Sequence, residues 1–354
     1  MRNTIFTLML TAFFGAILVL SACKKNKNNE LDVNALQKNI LVNTADHVIT
    51  KSYQDMHAKA LALQTAIDSL KNNPNTANLV ECQVKWREIR STWEQTEAWL
   101  FGPVATDNID PRIDTWPVDF NALEGILGGS DDLNEAYVDD LEDEQKGFHP
   151  IEYLLWGQNG EKVAEDFTGR EFDFLTGLTA NLVKLSEEVK ASWEDSYATK
   201  LKTAGEGSLE YSSKKSAFVE IVDGMSGICE EVGEAKIKEP FDAQDPSLEE
   251  SPFSKNSLTD FNNNINGILL IYQGKFSADG LGLEDLVRTY DLSLDTRIKA
   301  KHASAIAALN EITLPFGDAI AQESSKVENA INKIAELAET LDEELKPFVQ
   351  KYAN

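Results

Sequence analysis

Apolar residues recur at steps of three and four along most of this chain. Met56, Ala60, Leu63, Ile67 and Leu70 make one stripe, and Phe174, Leu178, Leu182, Leu185, Val189 and Trp193 a second. Phe218, Ile221, Met225, Ile228 and Val232 make a third, and Val327, Ile331, Ile334, Ala338, Leu341, Leu345 and Phe348 a fourth. Each is one face of an amphipathic helix. No segment shows a convincing strand alternation. A helix with one apolar face must bury it against another helix, so the chain is expected to be all-α and built of bundles.

Two stretches break the periodicity. Residues 101–146 hold Pro103, Pro111, Pro117 and Gly128-Gly129; residues 240–256 read PFDAQDPSLEESPFSKN. Proline and Asp/Ser clusters end helices, and long irregular loops in helical proteins often carry function. A softer break lies at Gly205-Glu206-Gly207. The length suggests two domains, expected at 34–204 and 205–354.

Residues 1–22 read as an export signal: one basic residue, Arg2, an apolar run from Ile5 to Leu20, then small residues. Leu20-Ser21-Ala22-Cys23 resembles a bacterial lipobox. It implies a lipid anchor on Cys23, with residues 23–33 as lipidated cysteine and tether. The expected location is the cell envelope, on the periplasmic or surface face of an outer membrane. A net charge of −26 excludes a nucleic-acid partner by repulsion. The other two cysteines, Cys82 and Cys229, sit in apolar helical patterns and read as buried thiols.

The chemistry concentrates around GFHPIEYLLWG, residues 147–157. Pro150 suits the first helical position, which makes His149 the N-cap and Glu152 the third residue. Glu152 could cap the helix, yet histidine is a poor N-cap. Upstream, Trp86, Arg90, Trp93, Glu97 and Leu100 share one helical face. Tryptophans mark that face as inward, and buried charges demand partners or a ligand. An internal Arg90–Glu97 ion pair is one solution; a site is the other. Arg112, Asp114, Trp116, Asp119 and Glu124 crowd the next loop, and Glu250, Ser251 and Ser254 the later one. HExxH, CxxC, P-loop and GxSxG motifs are all absent. His149 and Glu152 fall short of the three protein ligands usual for catalytic zinc, so further ligands must come from Glu97, Asp114 or Glu124.

Gly147-x-His149-x-x-Glu152 resembles the signature of the imelysin-like proteins, a family catalogued as peptidases. The Trp86–Phe101 segment, Ile113-Asp114-Thr115-Trp116-Pro117, Glu152-Tyr-Leu-Leu-Trp156, and Glu250-Ser251-Pro252-Phe253-Ser254 with Asp260-Phe261 are similar to the same family, in order, over most of the chain from Leu36. The resemblance implies two helical bundles with the signature, Gly147 included, at their interface. It implies exported, often iron-regulated proteins, some working with iron-uptake components. It carries over His149 and Glu152 as metal ligands; Glu97 and Arg90 are expected as further ligands or as supports behind them, with Trp93, Asp114, Trp116, Glu250, Ser251 and Ser254 in the same site. The expectation is therefore an envelope lipoprotein binding iron, with zinc as the alternative metal, or a metal-linked ligand. The competing reading is a metallopeptidase with Glu152 as its catalytic group.

Overall fold

In a computed structural model, which describes residues 32–353, the four stripes form helices and their residues turn inward. The main helices are α1 (Val33–Asn43), α2 (Thr50–Asn72), α3 (Thr76–Thr96), α4 (Phe148–Trp156), α5 (Gly169–Ser192), α6 (Lys214–Glu230), α7 (Ser257–Gln273), α8 (Leu292–Glu311) and α9 (Ser324–Thr340). The described residues contain no strand. The signal, Cys23 and most of the tether lie outside them.

Local signals set the helix starts. The Asn75 side chain accepts from Asn78 N at the head of α3, and Thr168 with Glu171 forms a reciprocal capping box at α5. Cys82 and Cys229 are both buried and free.

The packing order places the site. α2 lies between α3 and α5, and α4 packs on α3 and α5. In the second half, α8 pairs with α9, α9 with α6, and α7 with α8. α3 packs directly on α7, joining the two halves of the chain. Gly267 permits this: a Cβ there would collide with the carbonyl oxygen of Gln95 on α3. Val33–Asn354 accordingly groups as one compact unit, with the turn around Gly205 and Gly207 inside it.

Candidate functional site at the α3–α7 seam

α3 carries the site. Trp86, Arg90, Trp93 and Glu94 are buried on it, and Glu97 is buried at its C-terminal cap. Arg90 is fully enclosed, and its guanidinium binds Asp114, Glu94 Oε1 at 2.6 Å and Glu250 Oε1 at 2.6 Å. Asp260 on α7 lies 3.7 Å from its Nε. The expected Arg90–Glu97 pair does not form. Glu97 instead accepts from Lys236 Nζ at 2.8 Å and from Asn264 Nδ2 at 2.6 Å. Arg90 takes the acid one turn away because four residues place two side chains side by side, whereas seven do not.

Asp114 ends a short helix, Ile109–Asp114, at the rim of the first irregular stretch. Its second oxygen accepts from Trp93 Nε1 at 2.5 Å. Burial alone would raise its pKa; Arg90 and His149 outweigh that and hold the carboxyl well below the usual range. Glu250 is likewise lowered, with Lys236 and Arg90 overcoming burial. Burial dominates at Glu97 and Asp260 and raises both well above the carboxylate range. The shifts have opposite sign: Arg90, His149 and Lys236 favour the anions of Asp114 and Glu250, whereas burial disfavours those of Glu97 and Asp260.

α4 starts two residues earlier than expected. Gly147, at φ +84°, is the N-cap, and His149 and Pro150 both lie in the first turn. Proline is tolerated there because a first-turn N–H has no intrahelical acceptor. A side chain at Gly147 would strike the carbonyl oxygen of Ile113, so the glycine brings α4 against the Asp114 segment. Glu152 does not fold back onto the helix. Its Oε1 accepts from Ser254 N at 2.7 Å and Ser254 Oγ at 2.6 Å, and its Oε2 lies 3.4 Å from His149 Nδ1.

His149 thus has a carboxylate behind it and two in front. Its Nε2 is 3.1 Å from Asp114 Oδ1 and 3.9 Å from Glu250 Oε1. These are ion-pair distances without hydrogen-bond alignment, so Nε2 is buried with no hydrogen-bond partner. Burial would lower the ring's pKa, but Asp114 and Glu152 raise it to about 9. Asp114, His149 and Glu250 each offer a ligand atom within 4.8 Å of the others. A second set, Glu94, Glu97 and Asp114, meets the same condition. A cleft of about 250 Å³ adjoins both, walled by Glu97, Asp110, Asp114, Trp116, Lys236 and Glu250.

The other expected residues divide. Trp116 lies with its ring centroid 5.0 Å from that of His149. Ser251 Oγ donates to Asp260 at 2.7 Å and supports the cluster from behind. Glu124 faces Tyr153 instead, Asp119 caps the helix Phe120–Gly128, and Arg112 pairs with Asp139. Sequence reasoning missed Glu94, Lys236 and Asn264. Glu94 was findable as the acid four residues after Arg90; Lys236 and Asn264 carry no local signal.

This chain matches the imelysin family model over residues 49–341. The chain belongs to the imelysin family. It is 31% identical over 315 residues to iron-regulated protein A of Synechococcus elongatus, covering 86% of this chain and 85% of that one. A crystal structure from Parabacteroides distasonis, described as an iron-regulated protein A precursor, superposes with a TM-score of 0.78 at 25% identity, covering 87% of this chain and 94% of the other. An imelysin-like protein from Psychrobacter arcticum shares the fold at 12% identity, with a TM-score of 0.74 over 89% and 96%. The all-helical imelysin fold expected from the sequence is the observed one.

Proposed function

We propose that this protein captures a metal ion, iron first and zinc as the alternative, through Asp114, His149 and Glu250 at the α3–α7 seam. The observation that carries this reading is His149 Nε2: buried, without a hydrogen-bond partner, and facing two anionic carboxylates. One imidazole and two carboxylates suit Fe(II) or Zn(II), and the adjoining cleft supplies room for further ligands, water or a chelator. The names of the relatives, iron-regulated protein A, favour iron.

Glu152 takes the place of an orienting group in this reading. A carboxylate on the far ring nitrogen fixes the imidazole and raises its basicity, and Ser254 in turn fixes the carboxylate. The metal replaces the Nε2 proton. Glu97, tied to Lys236 and Asn264, stands outside the first set of ligands. The position of Glu152 behind the ring, away from the cleft wall, speaks against its serving as the base of a peptidase. A lipid on Cys23 would hold the protein at the cell envelope, where it would pass iron to uptake components.

The test is metal binding by the form that starts after Cys23. Elemental analysis and anaerobic Fe(II) titration, with Zn(II) beside it, should give one bound equivalent. His149→Ala should weaken binding at least tenfold, with the helical circular dichroism unchanged. A parent protein that takes up neither ion defeats the proposal.

A further inference from the structure

The two ligand sets share Asp114, as two metal positions joined through one carboxylate would. They differ in what already occupies them. In the first, His149 Nε2 has no hydrogen-bond partner. In the second, the Lys236 ammonium sits 2.8 Å from Glu97 Oε2 and 3.4 Å from Glu94 Oε2. It also lies 3.4 Å from Glu250 Oε1 and 3.6 Å from Glu231 Oε1. The Lys236 side chain is only 8% exposed, so this is a fixed interior contact and not a mobile surface pair.

We propose that Lys236 is a tethered cation that fills the second metal position of the cluster, so that the site takes one ion and not two. The inference rests on the metal-binding reading above. Oxygens bind such metals at about 2.0–2.2 Å. An ion held by Glu94 and Glu97 would therefore lie where the ammonium now lies, and one cation excludes the other. Asn264 closes the same position beside the lysine. Asn264 donates through Nδ2 to Glu94 Oε2 at 2.7 Å and Glu97 Oε2 at 2.6 Å, and its Oδ1 is buried without a partner. Turning the amide over would aim that oxygen at the two carboxylates. Bare carboxylates repel it; a divalent ion between them would bind it. Lys236 thus supplies the charge that a second metal would otherwise bring.

Stoichiometry decides the question. Fe(II) alone is titrated anaerobically into the parent, Lys236→Met, Lys236→Arg and Glu97→Gln, with bound metal counted by elemental analysis. The expected counts are one ion for the parent and Lys236→Arg, and two for Lys236→Met. A Lys236→Met protein that still binds one ion beside a parent that binds one overturns the inference and leaves the metal reading standing. A parent that binds none overturns the metal reading, and the inference with it. Should Lys236→Met fail to fold, Glu97→Gln carries the test. It should bind one ion within about threefold of the parent affinity, because Glu97 serves the lysine. A loss of tenfold or more would make Glu97 a ligand of the single ion and end the proposal.

Discussion

The α8–α9 pair and the α3–α7 seam are both helix-on-helix contacts, yet they bury different chemistry. Between α8 and α9 the interior is Ile298, Ala305 and Leu309 with Val327, Ile334 and Leu337. Charge stays at the edge, where Glu336 meets Lys301 at 2.7 Å and Lys333 at 2.6 Å with a third of its side chain exposed. At the seam the charges are inside: Arg90, Glu94, Glu97 and Asp260 are as enclosed as the tryptophans beside them. An apolar layer loses stability in proportion to the atoms removed. A buried charge layer holds only while each member keeps its partners, because a stranded ion must bear its desolvation alone. Stability alone gives no reason to place such a layer inside a bundle, which is why its presence points to a site.

The largest break in this contrast should come from Arg90→Met. It takes the buried guanidinium away from Asp114, Glu94 and Glu250 and should cost about 3–5 kcal/mol in urea unfolding, although methionine fits the volume. A cost below about 1 kcal/mol would mean that the seam behaves like the α8–α9 layer. Leu337→Ala should cost less, about 2–4 kcal/mol, as a fully enclosed leucine leaves a cavity. It should leave the metal titration proposed for the seam unchanged, which separates the two layers functionally.

The smallest effect is a difference in pH dependence. Burial, reinforced by Asp114 and Glu231, raises Asp110 to about 7 from an unfolded value of 3.8. An acid whose pKa is raised by folding weakens the fold above its folded value, and the penalty fades as pH falls through the window from about 7 to about 3.8. Asp110→Asn should therefore stabilise the protein at pH 8, and the gain should vanish near pH 4. Glu336 has the opposite sign: Lys301 and Lys333 lower it to about 2. Its contribution, screened by solvent and under about 1 kcal/mol, is present above about 4.5 and lost as pH falls toward 2. Equal pH profiles for Asp110→Asn and Glu336→Gln would erase the distinction between inside and outside charge.

Much of this architecture was legible from spacing. The stripes at Met56–Leu70, Phe174–Trp193 and Phe218–Val232 became buried helix faces because a helical period fixes which residues point the same way. The inward turn of Arg90 and Glu97 could be read from the tryptophans flanking them. Their partners could not. The pairing of Arg90 with Glu250, 160 residues away, and of Glu97 with Lys236, 139 residues away, has no local trace. The contacts of the signature are of the same kind: Glu152 Oε1 accepts from Ser254, 102 residues away, and Asp114 Oδ1 lies 3.1 Å from His149 Nε2.

The sequence by itself determined the helices, the imelysin identity and the presence of charge on an inward face, because period, motif order and composition are properties of neighbouring residues. The tertiary structure alone decided which acids face His149 Nε2, which one lies beside its Nδ1, and that Lys236 stands among the rest. Those are contacts between distant segments, set by the close approach of α3 to α7 at Gly267 and of α4 to the Asp114 segment at Gly147.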